Sequence, residues 1–189
     1  MDMAEFGCTP GQTVGPFFGP ALTYRGDRDL VGDAHPHAVR LHGTVYDGAG
    51  DGVPDALVEL WQPDGAGRIP RQAGSLRRDA AVFTGWGRSA TDAAGHYSFT
   101  TVAPGPASAG RPPFFAITVF ARGLLNRLFT RAYLPHGEPN ADPLLATVDA
   151  TRRATLLGVA ESGRAAYRFD IHLQGPNETV FLAYRGDAR

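Results

Sequence analysis

Six histidines are the side chains of this 189-residue sequence best suited to binding a metal ion. His35 and His37 flank a proline, and their spacing could present two imidazoles on one face of an extended segment. That proline lies in a turn-rich stretch before the first predicted strand, so a surface role is favoured over a metal site. The other histidines are scattered singly beside turns or on predicted strands, and structural or surface roles are favoured for His42, His96, His136 and His172.

Composition excludes several classes of chemistry. All 18 basic residues are arginine, which excludes catalysis through a lysine Schiff base or a lysine general base. Cys8 is the single cysteine, so neither an intramolecular disulfide nor a Cys-x-x-Cys zinc site can form. The sequence contains no His-Glu-x-x-His, Gly-x-Ser-x-Gly or P-loop motif. Zinc protease, serine hydrolase and P-loop functions therefore lack their signatures.

The charge and hydropathy of the chain favour a globular protein that binds neither nucleic acid nor a membrane. Its net charge of −1 gives no electrostatic footprint for nucleic acid or for an anionic membrane. No window approaches the roughly 18 continuous apolar residues of a membrane span. The start, MDMAEFGCTPG, lacks the basic residues and the apolar run of a signal peptide, so a cytoplasmic location is expected.

Short alternating segments separated by turns predict an all-β protein. In VRLHGTVYD, alternate residues are apolar or glycine, which is the period-2 pattern of a half-buried strand: Val39, Leu41, Gly43 and Val45. Further strands are predicted in ALVELWQ, RSATDAAGHYSFTTV (two strands around a turn), FFAITVFARG, LFTRAYL, AAYRFDIHLQG and ETVFLAY. Helix is limited to about one turn at 143–146. Residues 38–189 are therefore predicted to form a single β-sandwich of mostly antiparallel strands.

Residues 1–37 are predicted to form an extended N-terminal arm. The stretch TPGQTVGPFFGPALTY contains three prolines and three glycines, which disfavour helix and strand alike. It also carries Phe17, Phe18, Leu22 and Tyr24, which is too much apolar surface for a free tail. The arm must therefore pack on a neighbouring surface, either its own sandwich or, as we expect, a partner chain.

Five segments in a fixed order span nearly the whole chain: TPGQTVGPFF, LHGTVYDGAGDGVPDALVELWQPDGAGR, TDAAGHYSFTTVAPGP, RPPFFAITVFARGLLNRLFTRAYLP and RFDIHLQGPNETVFL. Together they resemble the intradiol ring-cleavage dioxygenases. Catalytic chains of that family hold one ferric ion with two tyrosines and two histidines, because anionic tyrosinate oxygens stabilise Fe(III). Side chains that cannot bind a metal stand at all four matching positions of this sequence, namely Ile69, Ala107, Phe114 and Ala116.

The resemblance implies a non-catalytic alpha chain that works inside a hetero-oligomer. Its beta partner would hold Fe(III), and the assembly would cleave 3,4-dihydroxybenzoate with O₂ to 3-carboxy-cis,cis-muconate in the beta-ketoadipate pathway. No catalytic residue and no cofactor are then expected in this chain. On the same resemblance Thr13, Gly15 and Pro16 face the substrate in the partner's pocket. A glycine there is reasonable, because backbone approaches a planar ring closely only without a Cβ.

Two arginines occupy family site positions. Arg131 stands where catalytic chains of the family carry a glutamine near the iron. Because an arginine on a buried strand needs a partner or a solvated pocket, we expect Arg131 to bind substrate at the residual cleft or the alpha–beta interface. Arg111 matches an arginine that precedes the histidine pair, and without iron a structural ion pair is expected for it.

Alternative interpretations fit the same segments. Phe114 and Ala116 also suit core positions of a buried strand, and VGPFFGP also suits a stiff arm that clamps its own sandwich. A homo-oligomeric catechol dioxygenase is disfavoured, because its own chain needs the tyrosines and histidines. A transthyretin-like β-sandwich that serves as a binding or assembly module, without an enzymatic role, is the alternative function. Co-purification with a chain that carries the Tyr/His set would distinguish the two.

Overall fold

Two β-sheets form the body of the molecule in a computed structural model that describes residues 11–71, 78–79, 81–136 and 142–183. The strands of this part are β1 (Ala38–Tyr46), β2 (Leu57–Trp61), β3 (Trp86–Ala90), β4 (His96–Val102), β5 (Phe114–Phe120), β6 (Leu128–Tyr133), β7 (Val159–Ala160), β8 (Ala166–Arg168) and β9 (Ile171–His172). The first sheet has the order β4-β1-β8-β7, with β9 also paired to β1, and the second has the order β3-β2-β5-β6. Only β8 and β9 run parallel to their neighbour β1 among these pairs of described strands. The predicted all-β fold with mostly antiparallel strands is confirmed.

The core lies between the sheets and is built by alternation along each strand. In β1, Leu41, Gly43 and Val45 are buried, as their shared parity predicts, and Val39 is half-buried. Leu41 and Val45 belong to one buried cluster with side chains of β2, β4 and β5, among them Val58, Leu60, Tyr97, Phe99, Phe115, Ile117 and Val119. Gly43 permits a close backbone approach, because a Cβ there would lie 1.9 Å from the carbonyl oxygen of Phe169.

Short helices flank the sandwich: α1 (Phe18–Leu22), α2 (Pro143–Thr147) and α3 (Ala150–Arg153), the last continuing into a 3₁₀ turn at Ala154–Leu156. α2 confirms the helical turn expected at 143–146, and Pro143 occupies its first position. α1 was not expected in a stretch so rich in proline and glycine. Pro20 does not prevent this helix, because it lies in the first turn, where a missing N–H costs no helical hydrogen bond. No helix of the described residues is long and apolar enough to cross a membrane.

The last part of the arm joins the sandwich before β1 begins. Leu30 and Val31 are buried, and Leu30 belongs to the core cluster. The Leu30 N–H donates to the carbonyl oxygen of Thr100 at 2.8 Å, so this segment runs alongside β4. A strand was also expected in ETVFLAY; of this segment the structure describes residues 178–183, which form a single bridge, from Leu182 to Phe129. Packing of the arm on a partner chain stays a prediction.

Candidate functional site

The outer face of the second sheet, which points away from the core, carries a row of three residues that includes one of the four matched positions. Ala116 of β5 pairs with Trp61 of β2 on one side and with Arg131 of β6 on the other. Paired residues point to the same face of a sheet, so the three side chains form one row. Trp61 is 55% exposed, so the row is not closed over at that end.

Packed segments cover the outer face on both sides of this row. Leu57 has the parity of Trp61 but is fully buried, and its pairing partner Phe120 contacts the Phe18 ring of α1 at 5.5 Å between centroids. On the other side, Tyr133 is buried in a small cluster with residues of α2 and the 3₁₀ turn, Leu145 and Leu156. The row from Trp61 to Arg131 therefore lies between two covered regions of the sheet.

Phe114 and Ala116 lie two residues apart on this outer face and are both half-buried. They are therefore not residues of the main core, which takes the intervening Phe115. The Phe114 ring packs against the Tyr133 ring at 5.3 Å between centroids, and the guanidinium carbon of Arg131 lies 4.1 Å from the Phe114 centroid. Phe114 thus fills its matched position with a ring that supports a cation.

Ile69 and Ala107 lie on two loops that contact each other. The Gly105 N–H donates to the carbonyl oxygen of Asp64 at 2.8 Å. Gly67 has a φ of +81°, and a Cβ there would lie 2.1 Å from the carbonyl oxygen of Pro106, so the loops meet backbone to backbone. Both matched side chains are exposed, and Ile69 is 69% exposed. The structure thus places the matched positions in two pairs, one on β5 and one on these loops.

The donor chemistry of the four positions does not fit a ferric ion. Their side chains are hydrocarbon throughout, whereas Fe(III) requires anionic oxygen and imidazole nitrogen ligands. Elsewhere in the part of the chain that the structure describes, no group of three or more His, Cys, Asp and Glu side chains could hold a metal ion.

Arg131 is fixed by a buried carboxylate that the sequence reasoning missed. Its Nη1 donates to Asp142 Oδ2 at 3.2 Å and to the Tyr133 hydroxyl at 3.1 Å. The Tyr133 hydroxyl in turn donates to Asp142 Oδ2 at 2.8 Å, and the Leu144 N–H donates to Oδ1 at 2.9 Å. Burial raises the pKa of Tyr133 to about 12, so its hydroxyl keeps the proton that it donates. The Asp-Pro pair at the start of α2 signals a helix cap in the sequence but not its arginine partner.

The arm residues predicted to face a substrate are anchored on one side and open on the other. The Thr13 hydroxyl accepts a hydrogen bond from the Gly123 N–H at 2.7 Å, which ties the arm to the loop after β5. Gly15 and Pro16 are exposed, and a Cβ on Gly15 would meet nothing within 4 Å. Phe17 is 80% exposed, although it is apolar. The segment 15–17 is therefore presented outward between two anchored residues, Thr13 and Phe18.

Four of the histidines have contacts other than a metal ion: His35, His37, His42 and His172. The His37 N–H donates to His35 Nδ1 at 3.2 Å, so that nitrogen is used within the turn. His42 Nε2 lies 3.1 Å from a Glu161 carboxylate oxygen, and the His172 ring stacks on Tyr46 at 4.8 Å. Structural roles explain these positions.

Arg111 forms no ion pair with another of the described residues. It is exposed, its N–H donates to the Ser108 carbonyl oxygen at 3.2 Å, and within the described residues no carboxylate lies in salt-bridge range of its side chain. The structural ion pair expected for Arg111 stays a prediction, because the acidic residues Asp2, Glu5, Glu138 and Asp187 lie outside the described residues.

Comparison with known proteins gives one consistent result. Residues 15–175 match the Dioxygenase_C family, described as dioxygenase. The chain is 42% identical over 191 residues to the protocatechuate 3,4-dioxygenase alpha chain of Burkholderia cepacia, covering 92% of this chain and 96% of that one. It is 35% identical over 175 residues to the beta chain of the same species, covering 80% and 72%.

A solved structure agrees with these relatives. The dioxygenase domain of a dioxygenase carbohydrate-binding protein fusion from Streptomyces sp. SirexAA-E superposes with a TM-score of 0.60 at 26% identity, covering 88% of this chain and 98% of that one. The resemblance drawn from the five ordered segments is confirmed: the chain belongs to the intradiol ring-cleavage dioxygenases.

Proposed function

We propose that this chain is the non-catalytic alpha subunit of a cytoplasmic protocatechuate 3,4-dioxygenase. It pairs with a beta chain whose ferric ion supplies the ring-cleaving chemistry, and the assembly converts 3,4-dihydroxybenzoate and O₂ to 3-carboxy-cis,cis-muconate. The observation that supports the proposal is that the four positions matched to the family's iron ligands carry side chains without donor atoms, namely Ile69, Ala107, Phe114 and Ala116.

The relatives support the alpha rather than the beta role. Identity is 42% to the alpha chain and 35% to the beta chain of the same species. The alignment also covers 96% of the alpha chain but 72% of the beta chain. A chain that lacks the iron-binding side chains needs an iron-bearing partner to take part in this reaction. The relatives indicate the beta chain as that partner.

The arm supplies this chain's contribution to the partner's pocket. Thr13, Gly15 and Pro16 line that pocket in the proposal, and Arg131 binds substrate. Outward presentation of residues 15–17 supports this role. The apolar Phe17 side chain is 80% exposed in the isolated chain, and covering it with a partner would stabilise the complex. The small Gly15 allows a planar ring to approach the backbone.

Co-expression tests the proposal directly. This chain, carrying a tag, is expressed with and without its cognate beta chain, and the purified material is assayed for the second chain, for iron and for O₂ uptake with 3,4-dihydroxybenzoate. Co-purification, iron in proportion to the beta chain and ring cleavage by the pair alone are expected.

Two results would contradict the proposal in different ways. Ring cleavage by this chain alone would show that it is catalytic. A stable homo-oligomer that never co-purifies with the beta chain would favour a transthyretin-like binding module. Deleting residues 1–24 is expected to weaken assembly, and full assembly and turnover without them would make the arm a passive tail.

A further inference from the structure

We propose that a cavity between the start of β1 and the loops that follow β2 and β4 binds a small aromatic carboxylate. Its volume is about 640 Å³, within the range of natural small-molecule sites. Neither the four matched positions nor the arm residues 13–17 are among its described lining residues. The inference goes beyond the proposed function, because it places a ligand in this chain, away from the iron of the partner.

The walls of the cavity are mainly apolar. Val102 is buried, and Val39 of β1 is half-buried beside the cavity. Phe83 and Ala103 pack against the main core cluster and also line the cavity. Phe83 adds an aromatic ring to the wall, and rings pack favourably against one another. These walls favour an apolar ligand that contains a ring.

The cavity is open because small residues line it and because its loops are fixed. The Gly105 N–H donates to the Asp64 carbonyl oxygen at 2.8 Å, which joins the loop after β4 to the loop after β2. A wall held by backbone hydrogen bonds loses little conformational freedom when a ligand binds. Alanine and glycine leave the space beside these loops unfilled: Ala38, Gly65, Ala66, Ala103 and Ala165.

Arg68 supplies a cation at the rim of the cavity. Its Nε pairs with Asp64 Oδ2 at 2.8 Å, while its side chain is 82% exposed. Nη1 and Nη2 make no hydrogen bond to another described residue, so they can donate to a ligand. Asp64 is the one acidic side chain among the described lining residues. Because Arg68 neutralises that carboxylate, Asp64 opposes an anionic ligand only weakly.

His35 and His37 add further donors at the same rim. The His37 N–H donates to His35 Nδ1 at 3.2 Å, so the proton of a neutral His35 ring lies on Nε2. That N–H can donate to an acceptor in the cavity. A rim rich in donors above apolar walls suits a ring that bears a carboxylate, since a carboxylate accepts several charged hydrogen bonds.

Direct binding tests the proposal without any measurement of ring cleavage. Benzoate is titrated by calorimetry into the purified full-length chain, which is expressed alone. We expect one site per chain with a dissociation constant on the order of 1 mM, the affinity of a ligand of this size. Benzamide, which keeps the ring but lacks the charge, is expected to bind roughly three- to tenfold more weakly. Acetate, which lacks the ring, is expected to show no saturable binding.

Two variants locate the site. Arg68→Gln is expected to weaken benzoate binding roughly three- to tenfold and to leave benzamide binding unchanged. Arg122→Gln is the matched control, because Arg122 is also an exposed arginine paired with an aspartate, Asp55, but does not line the cavity. Ala165→Trp fills the cavity from an exposed lining position and is expected to abolish binding of both probes. Ala49→Trp, at an exposed alanine in the turn after β1, is its control and is expected to have no effect.

The contrary results are distinct. Benzoate binding that survives Ala165→Trp, or the absence of saturable binding by the wild-type chain, overturns the site. Equal affinities for benzoate and benzamide overturn recognition of the carboxylate, and octanoate binding tighter than benzoate overturns the aromatic class. If the chain is insoluble alone, the alpha–beta complex is titrated, and Ala165→Trp is expected to remove one benzoate site per alpha chain. Assembly and ring cleavage by that complex test the proposed function independently, so either proposal can fail while the other stands.

Discussion

Gly15→Val is the sharpest test of a substrate-facing arm. In this chain a Cβ at Gly15 would meet nothing within 4 Å, and the backbone there does not adopt the left-handed conformation that side chains avoid. In the isolated chain, the substitution is therefore expected to change the free energy of unfolding by no more than about 0.5 kcal/mol. In the alpha–beta complex the isopropyl group would meet the substrate ring, and a steric misfit in a shaped pocket costs about 1–3 kcal/mol of transition-state binding.

The assay is kcat/KM for 3,4-dihydroxybenzoate in the purified complex, with iron content and assembly measured in parallel. A loss of that size, with iron and assembly at wild-type levels, is the expected result. Gly11→Val is the matched control, because Gly11 is also an exposed arm glycine but its Cβ would make an ordinary 3.6 Å contact with Leu125 of this chain. Unchanged kinetics in Gly15→Val would place residue 15 away from the substrate. Lost assembly with normal specific activity would make it a packing residue.

Leu60→Ala removes a fully buried core side chain and is expected to lower the free energy of unfolding by about 2–5 kcal/mol in urea denaturation. Gly43→Ala places a Cβ 1.9 Å from a backbone oxygen, and the same measurement is expected to show a loss of about 3 kcal/mol. The purified chain alone is expected to bind no stoichiometric ferric iron; a visible iron–tyrosinate absorption band would refute the assignment of the four positions. Burial raises the pKa of Asp27 above 3.8. The protonated carboxyl group therefore stabilises the fold below pH 3.8, and this contribution is lost as the pH rises through the raised pKa. Asp27→Asn is therefore expected to raise the urea midpoint at pH 7 and to flatten its dependence on pH above 4, which an unchanged profile would contradict.

Local patterns predicted the sheets, because strand alternation and turn chemistry act over a few residues. The buried set of β1 and the turn of helix at α2 follow from such patterns, and the ordered segments identified the family. α1 was missed because its single proline falls in the one turn that tolerates it. In the described part of ETVFLAY the expected strand is one bridge, from Leu182 to Phe129, because pairing with β6 is set by tertiary packing rather than by local pattern.

The candidate site stays a prediction, and only part of its structure could be expected from the sequence. The hydrocarbon character of the side chains at the four matched positions is evident from the sequence. The pairing of Arg131 with Asp142 is not, because it requires α2 to dock against the outer face of β6, and docking is set by packing around Tyr133, Leu145 and Leu156. In the sequence, the helix-capping Asp142 and Arg131 lie eleven residues apart, and no local pattern indicates that they are partners. Only the fold brings them into contact.

The loop that leads to Ile69, one of the four matched positions, is organised around Asp64. Asp64 Oδ1 accepts hydrogen bonds from the N–H groups of Ala66 and Arg68, each at 2.9 Å, and Oδ2 pairs with Arg68 Nε at 2.8 Å. These contacts, led by the Arg68 N–H, hold the pKa of Asp64 below its usual value. The loop that leads to Ile69 is therefore stabilised by its own hydrogen bonds.

These internal hydrogen bonds explain why the loops do not depend on the side chains at their two matched positions. Ile69 and Ala107 project from loops that are joined by their backbones, so changing those exposed side chains removes no contact on which the loops depend. On β5 the change adds packing, because Phe114 now lies between Arg131 and Tyr133. Hydrocarbon side chains at the four matched positions are thus compatible with this fold, and a role of the outer face in assembly or recognition stays a prediction.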